Sequence, residues 1–271
     1  MLIRRASFSG LFIIIAALNP NHMRYFAELA YNGAAYHGWQ SQPRQVSVQS
    51  TIEEALSTLL NRPTGVVGCG RTDAGVHALQ YFLHFDCEGE LPPAFRQRIN
   101  KFLPKDIAIY RFIPVSDSAH ARFDASHRAY EYRIDFRKNP FGVGTRYYYP
   151  YPTLPDRYLM QQAADLLMEY EVFYPFCKSN TDVKTMRCDL RQATWEGQPE
   201  DGHLRFHVAA DRFLRGMIRL VVGACLNIGT GKLPLAALRE AMDKQQRLTR
   251  SWSVPPDGLY LKDIRYPFIS Q

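Results

Sequence analysis

Three adjacent polar side chains, those of Arg71, Thr72 and Asp73, lie between two glycines, Gly70 and Gly75. A carboxylate in such a loop can act as a nucleophile or as a general base. The glycines let the backbone turn tightly and approach a ligand closely. The same residues also fit an ordinary turn, in which Asp73 bonds its own backbone and pairs with Arg71 at the surface. These residues alone leave both interpretations open.

Apolar runs on both sides of the loop predict the strands that hold it. The run 79–85 alternates between apolar and other residues, which is typical of a strand with one buried face. The run 66–69 predicts a short buried strand before the loop. Catalytic side chains are often mounted on loops fixed to a rigid sheet, so this placement favours a functional loop. The predicted inward positions of the second strand are Leu79, Tyr81, Leu83 and Phe85.

The stretch 70–78, Gly-Arg-Thr-Asp-Ala-Gly-Val-His-Ala, closely resembles the catalytic motif of the TruA family of tRNA pseudouridine synthases. The resemblance implies that Asp73 is the essential carboxylate. It also implies that Arg71 helps to hold a flipped-out nucleotide and that Thr72 lies in the substrate site. A match that includes Gly, Arg, Asp and His is specific, and other segments of the chain agree with it.

Two further runs carry the same resemblance. Residues 36–43 match the family's early G-W-Q-x-Q-P run, and residues 255–261 match its closing P-x-G-L-Y-L run, which supplies an apolar floor to the pocket. Leu261 is therefore expected to contact the substrate. The resemblance extends from about Tyr25 to Tyr266 and covers essentially everything except the first 22 residues.

The run 212–228 is apolar at nearly every position and predicts a helix in which Arg212, Arg215 and Arg219 share one stripe. A buried helix cannot leave a guanidinium unpaired without a large desolvation cost. The arginines therefore either emerge to solvent or meet a partner. The segment that ends at Arg219 resembles the family's F-x-R-x-M-[VI]-R motif, whose last arginine pairs with the catalytic aspartate. By that resemblance Arg219 keeps Asp73 ionised and takes part in catalysis.

The segment 122–132 resembles the family's R-F-x-A-x-x-R-x-Y-x-Y motif. The first tyrosine of that motif stacks on the target uracil, so the resemblance implies a catalytic and substrate-binding role for Tyr130. Tyr132 is expected in the core, because alternating tyrosines on a strand usually face inward. Residues 120–123 correspond to an RNA-contacting stretch of the family. Lys138 and Lys184 are weaker candidates, because lone basic residues in loops are most often only solvated. The predicted RNA-binding set is Arg71, His120, Ala121, Arg122, Phe123, Lys138, Lys184 and Arg215.

The predicted elements follow the order β-α-β-β-α-β twice, which is the ferredoxin-like arrangement. We expect an α+β fold of two ferredoxin-like βαββαβ halves, whose mainly antiparallel sheets meet at a central cleft, as in the pseudouridine synthase fold. The N-terminal α+β domain is expected over 23–118 with the Asp73 loop facing the cleft. The C-terminal α+β domain is expected over 119–271, with a last strand able to return to the shared sheet.

The amino-acid composition limits the kinds of partner and the cellular compartment that we expect. A formal net charge of +7 over 271 residues is compatible with a polyanionic partner. The five cysteines are odd in number and widely spaced without a C-x-x-C, which predicts a reduced intracellular chain with neither a disulfide framework nor a zinc site. No H-E-x-x-H occurs, so no metal is expected. His77 and His84 are expected at the ends or on the exposed face of a strand.

The first 22 residues contain two arginines and then the apolar run 11–18, which resembles a signal-peptide core and is too short to span a bilayer. No small-residue cleavage pattern follows, and Met23 directly precedes the first predicted strand. We expect 1–22 to be an N-terminal extension that is either disordered or not native. Secretion is the alternative, and it disagrees with the rest of the chain, so a cytoplasmic protein without membrane contact is expected.

The resemblance implies a tRNA pseudouridine synthase that acts on uridines 38, 39 and 40 of the anticodon stem-loop. It implies a homodimer with one tRNA across both subunits, and no metal, redox or nucleotide cofactor. Asp73 would act on the ribose as a nucleophile or as a base, and the sequence leaves both routes open. One alternative is a non-catalytic protein that binds structured RNA and assists tRNA folding, against which Arg71, Asp73, Tyr130 and Arg219 together argue. The other is a pseudouridine synthase acting on another RNA.

Overall fold

A computed structural model describes residues 22–178 and 185–270. Within these residues, nine strands form one mainly antiparallel sheet that is accompanied by five α-helices. The strands are β1 (His22–Tyr31), β2 (Val67–Gly68), β3 (His77–Glu88), β4 (Ile107–Val115), β5 (His127–Asp135), β6 (Tyr147–Tyr148), β7 (Leu190–Gln198), β8 (His203–Ala210) and β9 (Leu259–Arg265). The α-helices are α1 (Val48–Leu60), α2 (Phe95–Phe102), α3 (Arg157–Leu167), α4 (Met217–Gly229) and α5 (Leu235–Asp243).

One short parallel ladder makes the sheet continuous. The strand order is β4-β1-β3-β9-β5-β8-β7, with β2 paired to β3 and β6 paired to β5. Strands β3 and β9 are parallel, with His77 opposite Tyr260 and Ala78 opposite Leu261. We expected two sheets that meet at a cleft, and this junction joins them edge to edge instead. Hydrophobic periodicity reports the faces of a strand but not its neighbours, so it could not reveal the junction.

Buried apolar side chains form two clusters that the last strand links. The N-terminal cluster includes Phe26 and Leu56, and the C-terminal cluster includes Trp195 and Phe206. Leu261 and Ile264 from β9 belong to the N-terminal cluster, whereas Leu259 from the same strand belongs to the C-terminal cluster. Each large apolar side chain buried in this way contributes about 1.5–3 kcal/mol. The final strand therefore stabilises both halves of the chain at once.

The helix predicted at 212–228 begins later than expected. Gly216 has a φ of +72° and precedes the first helical residue, Met217. Arg212 and Arg215 therefore lie in the irregular segment before α4, and the predicted stripe of three arginines is wrong. A left-handed residue cannot continue a right-handed helix, and glycine adopts this conformation at no steric cost. Hydrophobic periodicity continued through the break because the segment before α4 also packs inward.

A register shift explains the wrong prediction for Leu79 in β3. Leu79 is 41% exposed, whereas we predicted it to face inward. The pairing of β1 with β3 is regular up to Leu29 opposite Tyr81 and then shifts, so that Tyr31 lies opposite Ala78. A shift of this kind breaks the alternation of side chains across the sheet.

The predicted N-terminal extension, 1–22, lies outside the described residues except for its last residue, His22. His22 begins β1 and lies opposite Glu88 of β3. Lys184 also lies outside them. None of the helices described is both long enough and apolar enough to cross a bilayer.

The sequence predicts Ser47 as the cap of a helix whose apolar positions are spaced for one face, and helix α1 begins there. The Ser47 hydroxyl accepts from the backbone N–H of Ser50 at 3.1 Å, and the Ser50 hydroxyl accepts from the N–H of Ser47 at 3.2 Å. Ser47 is fully buried, so both groups depend on this reciprocal pair for their hydrogen bonds.

We expect Ser47→Ala to lower the free energy of unfolding by about 1 kcal/mol, because the N–H of Ser50 loses its acceptor. Chemical denaturation followed by circular dichroism measures the change. Ser41→Ala, at an exposed position before the helix, is the matched control and should leave the midpoint unchanged. Equal midpoints for the two variants would contradict the capping argument.

Candidate active site

Asp73 lies in a tight turn between β2 and β3. The N–H of Val76 donates to the carbonyl of Asp73 at 3.2 Å, which closes a four-residue turn. Gly75 is the third residue of this turn and has a φ of +78°, the conformation that a type II turn requires there. A Cβ at Gly75 would also lie 2.9 Å from the ring of Pro256. The turn therefore fixes Asp73 against the segment that leads into β9.

The early segment around Trp39 supports the loop from the side. The N–H of Trp39 donates to the carbonyl of Thr72 at 3.3 Å, and the N–H of Gly75 donates to the carbonyl of Tyr36 at 3.2 Å. Gly38 has a φ of +84°, and a Cβ there would lie 2.3 Å from the carbonyl oxygen of Thr72. No side chain fits between the two loops at this point.

Arg219 and Asp73 form an ion pair across 146 residues of sequence. Arg219 Nη1 donates to Asp73 Oδ2 at 3.1 Å, and the two side chains are 15% and 29% exposed. Arg219 Nε also donates to the carbonyl of Val254 at 2.6 Å, which orients the guanidinium. Among the described residues, Asp73 Oδ1 has no hydrogen-bond partner. The pairing predicted from the sequence is present, while the roles of both residues in catalysis remain predictions.

Close packing brings the Val254 segment to helix α4. A Cβ at Gly223 would lie 1.9 Å from the carbonyl oxygen of Trp252, so only glycine permits this approach. The N–H of Val254 returns a hydrogen bond to the carbonyl of Arg219 at 3.2 Å. Val254 thus bonds both the backbone and the side chain of Arg219.

Tyr130 lies on β5 in the middle of the sheet. It pairs with Val208 on one side and with Leu261 on the other, and its ring meets the ring of Phe213 edge-on at 5.3 Å. Burial raises the pKa of the Tyr130 phenol, so the hydroxyl stays neutral at pH 7. Leu261 is 2% exposed and lies directly opposite Tyr130. The structure therefore places the predicted stacking ring beside the predicted apolar floor.

Tyr132 is a core residue, as predicted. It is fully buried, and its hydroxyl donates to the carbonyl of Pro255 at 2.7 Å. Burial raises the pKa of its phenol well above the usual value.

The two polar neighbours of Asp73 differ in exposure. Arg71 is exposed, whereas Thr72 is half-buried and shares a hydrogen bond of 2.9 Å with the hydroxyl of Tyr31. The Tyr81 hydroxyl donates to the carbonyl of Gly70 and fixes the start of the loop. Asp73 takes Arg219 as its ion-pair partner, so the surface pair with Arg71 is not formed in this structure.

Comparisons with known proteins agree with this geometry. A family model described as tRNA pseudouridine synthase matches residues 170–267. The chain is 45% identical over 247 residues to a tRNA pseudouridine synthase A of Porphyromonas gingivalis. The aligned region covers 90% of this chain and 97% of the Porphyromonas gingivalis protein. The chain is 43% identical over 246 residues to the protein of that name from Bacteroides fragilis, with coverages of 90% and 96%. The chain belongs to the tRNA pseudouridine synthase A (TruA) family.

Membership of the TruA family makes this chain an isomerase, a tRNA pseudouridine synthase that converts uridine in tRNA. Solved structures add little to this conclusion. A CRISPR endoribonuclease, Cse3, bound to a 19 nt RNA has a TM-score of 0.19 and 12% identity, with 76% of this chain and 96% of that chain covered. A similarity this weak carries no weight for fold or function.

The segment 120–123 of this TruA-family enzyme forms a compact turn around a histidine. His120 Nδ1 accepts from the backbone N–H groups of Arg122 at 3.1 Å and Phe123 at 3.2 Å. The ring of Phe123 stacks on His120 at 4.2 Å between centroids and is 74% exposed. The Arg122 guanidinium lies 5.8 Å from the same ring. The turn presents an aromatic face and a cation to solvent.

Ala121 anchors that turn to the core. It is fully buried, its N–H donates to His84 Nδ1 at 3.0 Å, and its carbonyl accepts from the Tyr266 hydroxyl. His84 is 5% exposed, so its expected place on an exposed face is wrong. The turn covers this end of β3, which strand periodicity could not foresee. Burial lowers the pKa of His84 to about 4, which keeps the ring a neutral acceptor.

Two of the remaining RNA-binding candidates, Arg215 and Lys138, are exposed in different loops. Arg215 is exposed in the segment before α4, and its carbonyl accepts from the N–H of Lys178 at 3.2 Å. Lys138 is exposed in the loop that follows β5.

His77 is the first residue of β3, so it lies at a strand end as expected. It is only 1% exposed, because both ring nitrogens are bonded within the protein. Nδ1 accepts from the N–H of Gly33 at 3.1 Å, and Nε2 lies 3.1 Å from the carbonyl of Asp257, to which it donates. Its ring stacks on Tyr260 at 4.5 Å. Burial lowers the pKa of His77, which favours this neutral form. Its place within the motif 70–78 was the available signal.

We expect Gly38→Ala to lower kcat about 10-fold or more, because the new methyl group displaces Thr72 and with it Asp73. Steady-state pseudouridine formation measures the effect. Gly89→Ala is the matched control, since Gly89 has a φ of +74° and a methyl group there would meet no heavy atom within 4 Å. Both variants carry the same backbone strain of about 1–2 kcal/mol. Equal losses of kcat would mean that strain, and not the contact with Thr72, is responsible.

Proposed function

We propose that this enzyme isomerises uridine to pseudouridine at positions 38, 39 and 40 of the tRNA anticodon stem-loop. The observation that carries the proposal is the ion pair between Asp73 and Arg219, with Tyr130 on β5, the strand that pairs with β9. A stacked base is out of reach of a protein carboxylate, so the target nucleotide leaves the helix and enters this site. Arg71, exposed at the rim of the site, occupies the space that the base vacates.

The chemistry needs one charged carboxylate and no oxidant, because uridine and pseudouridine are isomers. The C1′–N1 bond breaks, the uracil turns and a C1′–C5 bond forms. C5 then loses its proton and N1 gains one, so no atoms are added or lost. Asp73 either attacks the ribose or abstracts a sugar proton. Arg219 holds Oδ2, so Oδ1 is the oxygen oriented for either step. Tyr130, neutral and rigid between two strands, stacks on the flipped uracil above Leu261, while Thr72 lines the substrate site.

Recognition of the tRNA rests on shape and phosphate contacts, as is usual for structured RNA. The exposed ring of Phe123 offers a stacking surface, and Arg122 beside it offers a cation for a phosphate. Ala121 and His120 hold the turn in place. Arg215 and Lys138 add positive charge at the surface, and Lys184, a further candidate, lies outside the described residues.

The two halves of the chain divide this work. We place the N-terminal domain at 23–118 and the C-terminal domain at 119–271, each a ferredoxin-like βαββαβ unit. The strand orders β4-β1-β3 with β2, and β9-β5-β8-β7, support this division. The enzyme acts as a homodimer with one tRNA across both subunits and works in the cytoplasm, where the five buried cysteines stay reduced.

We expect Asp73→Asn to abolish isomerisation while tRNA binding stays within a few-fold of wild type. Site-resolved pseudouridine mapping on transcripts with uridine at 38, 39 or 40 measures the product, and filter binding measures affinity. Asp201→Asn, in an exposed turn, is the matched control and should keep full activity. Near-normal turnover by Asp73→Asn would refute the assigned role. Modification at other positions by the wild type would point to another RNA target, and tight binding without product would favour a tRNA-folding protein.

Tyr130→Phe and Tyr132→Phe remove the same hydroxyl from two alternate positions of β5. We expect Tyr130→Phe to lose far more kcat, because in the proposed site the hydroxyl of Tyr130 contacts the reacting nucleotide in addition to the stacking of its ring. Tyr132→Phe should instead lower the free energy of unfolding by about 1 kcal/mol, since the carbonyl of Pro255 loses its donor. Single-turnover kinetics and denaturant unfolding separate the two effects. Equal losses of activity would mean that the hydroxyl of Tyr130 does not contact the reacting nucleotide.

A further inference from the structure

Arg128 lies on β5 two residues before Tyr130 and donates to four backbone carbonyls. Nη1 donates to Ala125 at 3.1 Å and to Asp211 at 2.7 Å. Nη2 donates to Cys69 at 3.1 Å and to Arg122 at 2.7 Å. These carbonyls come from three segments that are far apart in the sequence. We propose that Arg128 is a positioning residue that sets the Asp73 loop, the turn 120–123 and the segment leading to Arg219 in one arrangement.

Each of the three segments leads directly to a residue of the proposed site. Cys69 is the last residue before the loop that carries Arg71 and Asp73, and its own N–H is fixed to Phe82 of β3 at 2.8 Å. Arg122 belongs to the turn proposed to contact RNA. Asp211 follows β8 and begins the segment that enters α4. A shift of the guanidinium would therefore move all three together.

The geometry requires arginine in particular. A guanidinium presents its donors in a rigid planar fork, whereas an ammonium is a single point with three rotatable donors. Both Nη atoms of Arg128 donate to two carbonyls each, so all four of their hydrogens are engaged. Little donor capacity remains for a phosphate, which distinguishes Arg128 from an RNA-binding arginine. Residues two apart on a strand share a face, so Arg128 supports the sheet beside Tyr130.

The inference rests on the proposed function, because it assigns Arg128 a role through Asp73 and the turn 120–123. It goes beyond that function in naming what couples the two. Misplacement of reacting groups by about 1 Å can cost on the order of 100-fold in rate. Loss of the coupling should therefore appear in the chemical step as well as in tRNA binding.

The test compares Arg128→Lys and Arg128→Gln with Arg191→Lys as the matched control. Arg191 donates to the carbonyl of Ser126 at 2.9 Å, close to the same turn, but from the exposed side. We expect Arg128→Lys to lower the single-turnover rate about 10- to 100-fold at saturating tRNA and to raise KM several-fold. Arg191→Lys should leave both unchanged. Rates are normalised to the folded fraction at the assay temperature, measured by circular dichroism, and Arg128→Gln replaces Arg128→Lys if the latter does not fold.

A lower unfolding temperature with wild-type kcat and KM per folded enzyme would overturn the inference, because Arg128 would then be merely structural. Asp73→Asn is assayed in parallel to separate the two proposals. An inactive Asp73→Asn beside a fully active Arg128→Lys would defeat the role of Arg128 alone. An active Asp73→Asn would defeat the proposed role of Asp73, and with it the positioning role, whatever Arg128→Lys does.

Discussion

The structure depends on one partly buried ion pair between a loop and a helix that are 146 residues apart. A carboxylate that leaves water loses hydration, and a guanidinium at close range restores much of the lost free energy only if the geometry is good. Asp73 and Arg219 can meet only if β3, β9 and α4 hold fixed relative positions. The parallel junction of β3 with β9 and the close approach of Trp252 to Gly223 provide those positions.

Side chains from regular elements fix the irregular segments of the site by bonding to their carbonyl oxygens. Arg219 bonds Val254, Tyr132 bonds Pro255 and His77 bonds Asp257. These three closely spaced attachments hold the chain that enters β9. A loop has few hydrogen bonds of its own, so its accuracy comes from the rigid elements that reach it. The buried rings of His77 and His84 likewise bond to backbone groups of other segments. Burial lowers the pKa of both rings, so they act as neutral hydrogen-bonding groups.

The sequence predicted features that rest on a clear local pattern or on a family motif, and it missed a local break in a helix and a burial that comes from a distant segment. The Ser47 cap, the core position of Tyr132 and the partner of Arg219 could be predicted, since each rests on a local pattern or on a motif of the family. The start of α4 could not, because a single left-handed glycine interrupts a run whose apolar content continues. The burial of His84 could not either, since the turn that covers it comes from a distant part of the chain.

A catalytic carboxylate must be held firmly and still be reached by its substrate, and the two oxygens of Asp73 divide these requirements. Oδ2 accepts the hydrogen bond from Arg219, while Oδ1 has no partner among the residues that the structure describes. Arg219 is the more buried of the two side chains, so it contacts the carboxylate from the protein side and leaves the solvent side open. A bidentate pair would bind the carboxylate more strongly but would occupy both oxygens. The single contact therefore suits a group that must react.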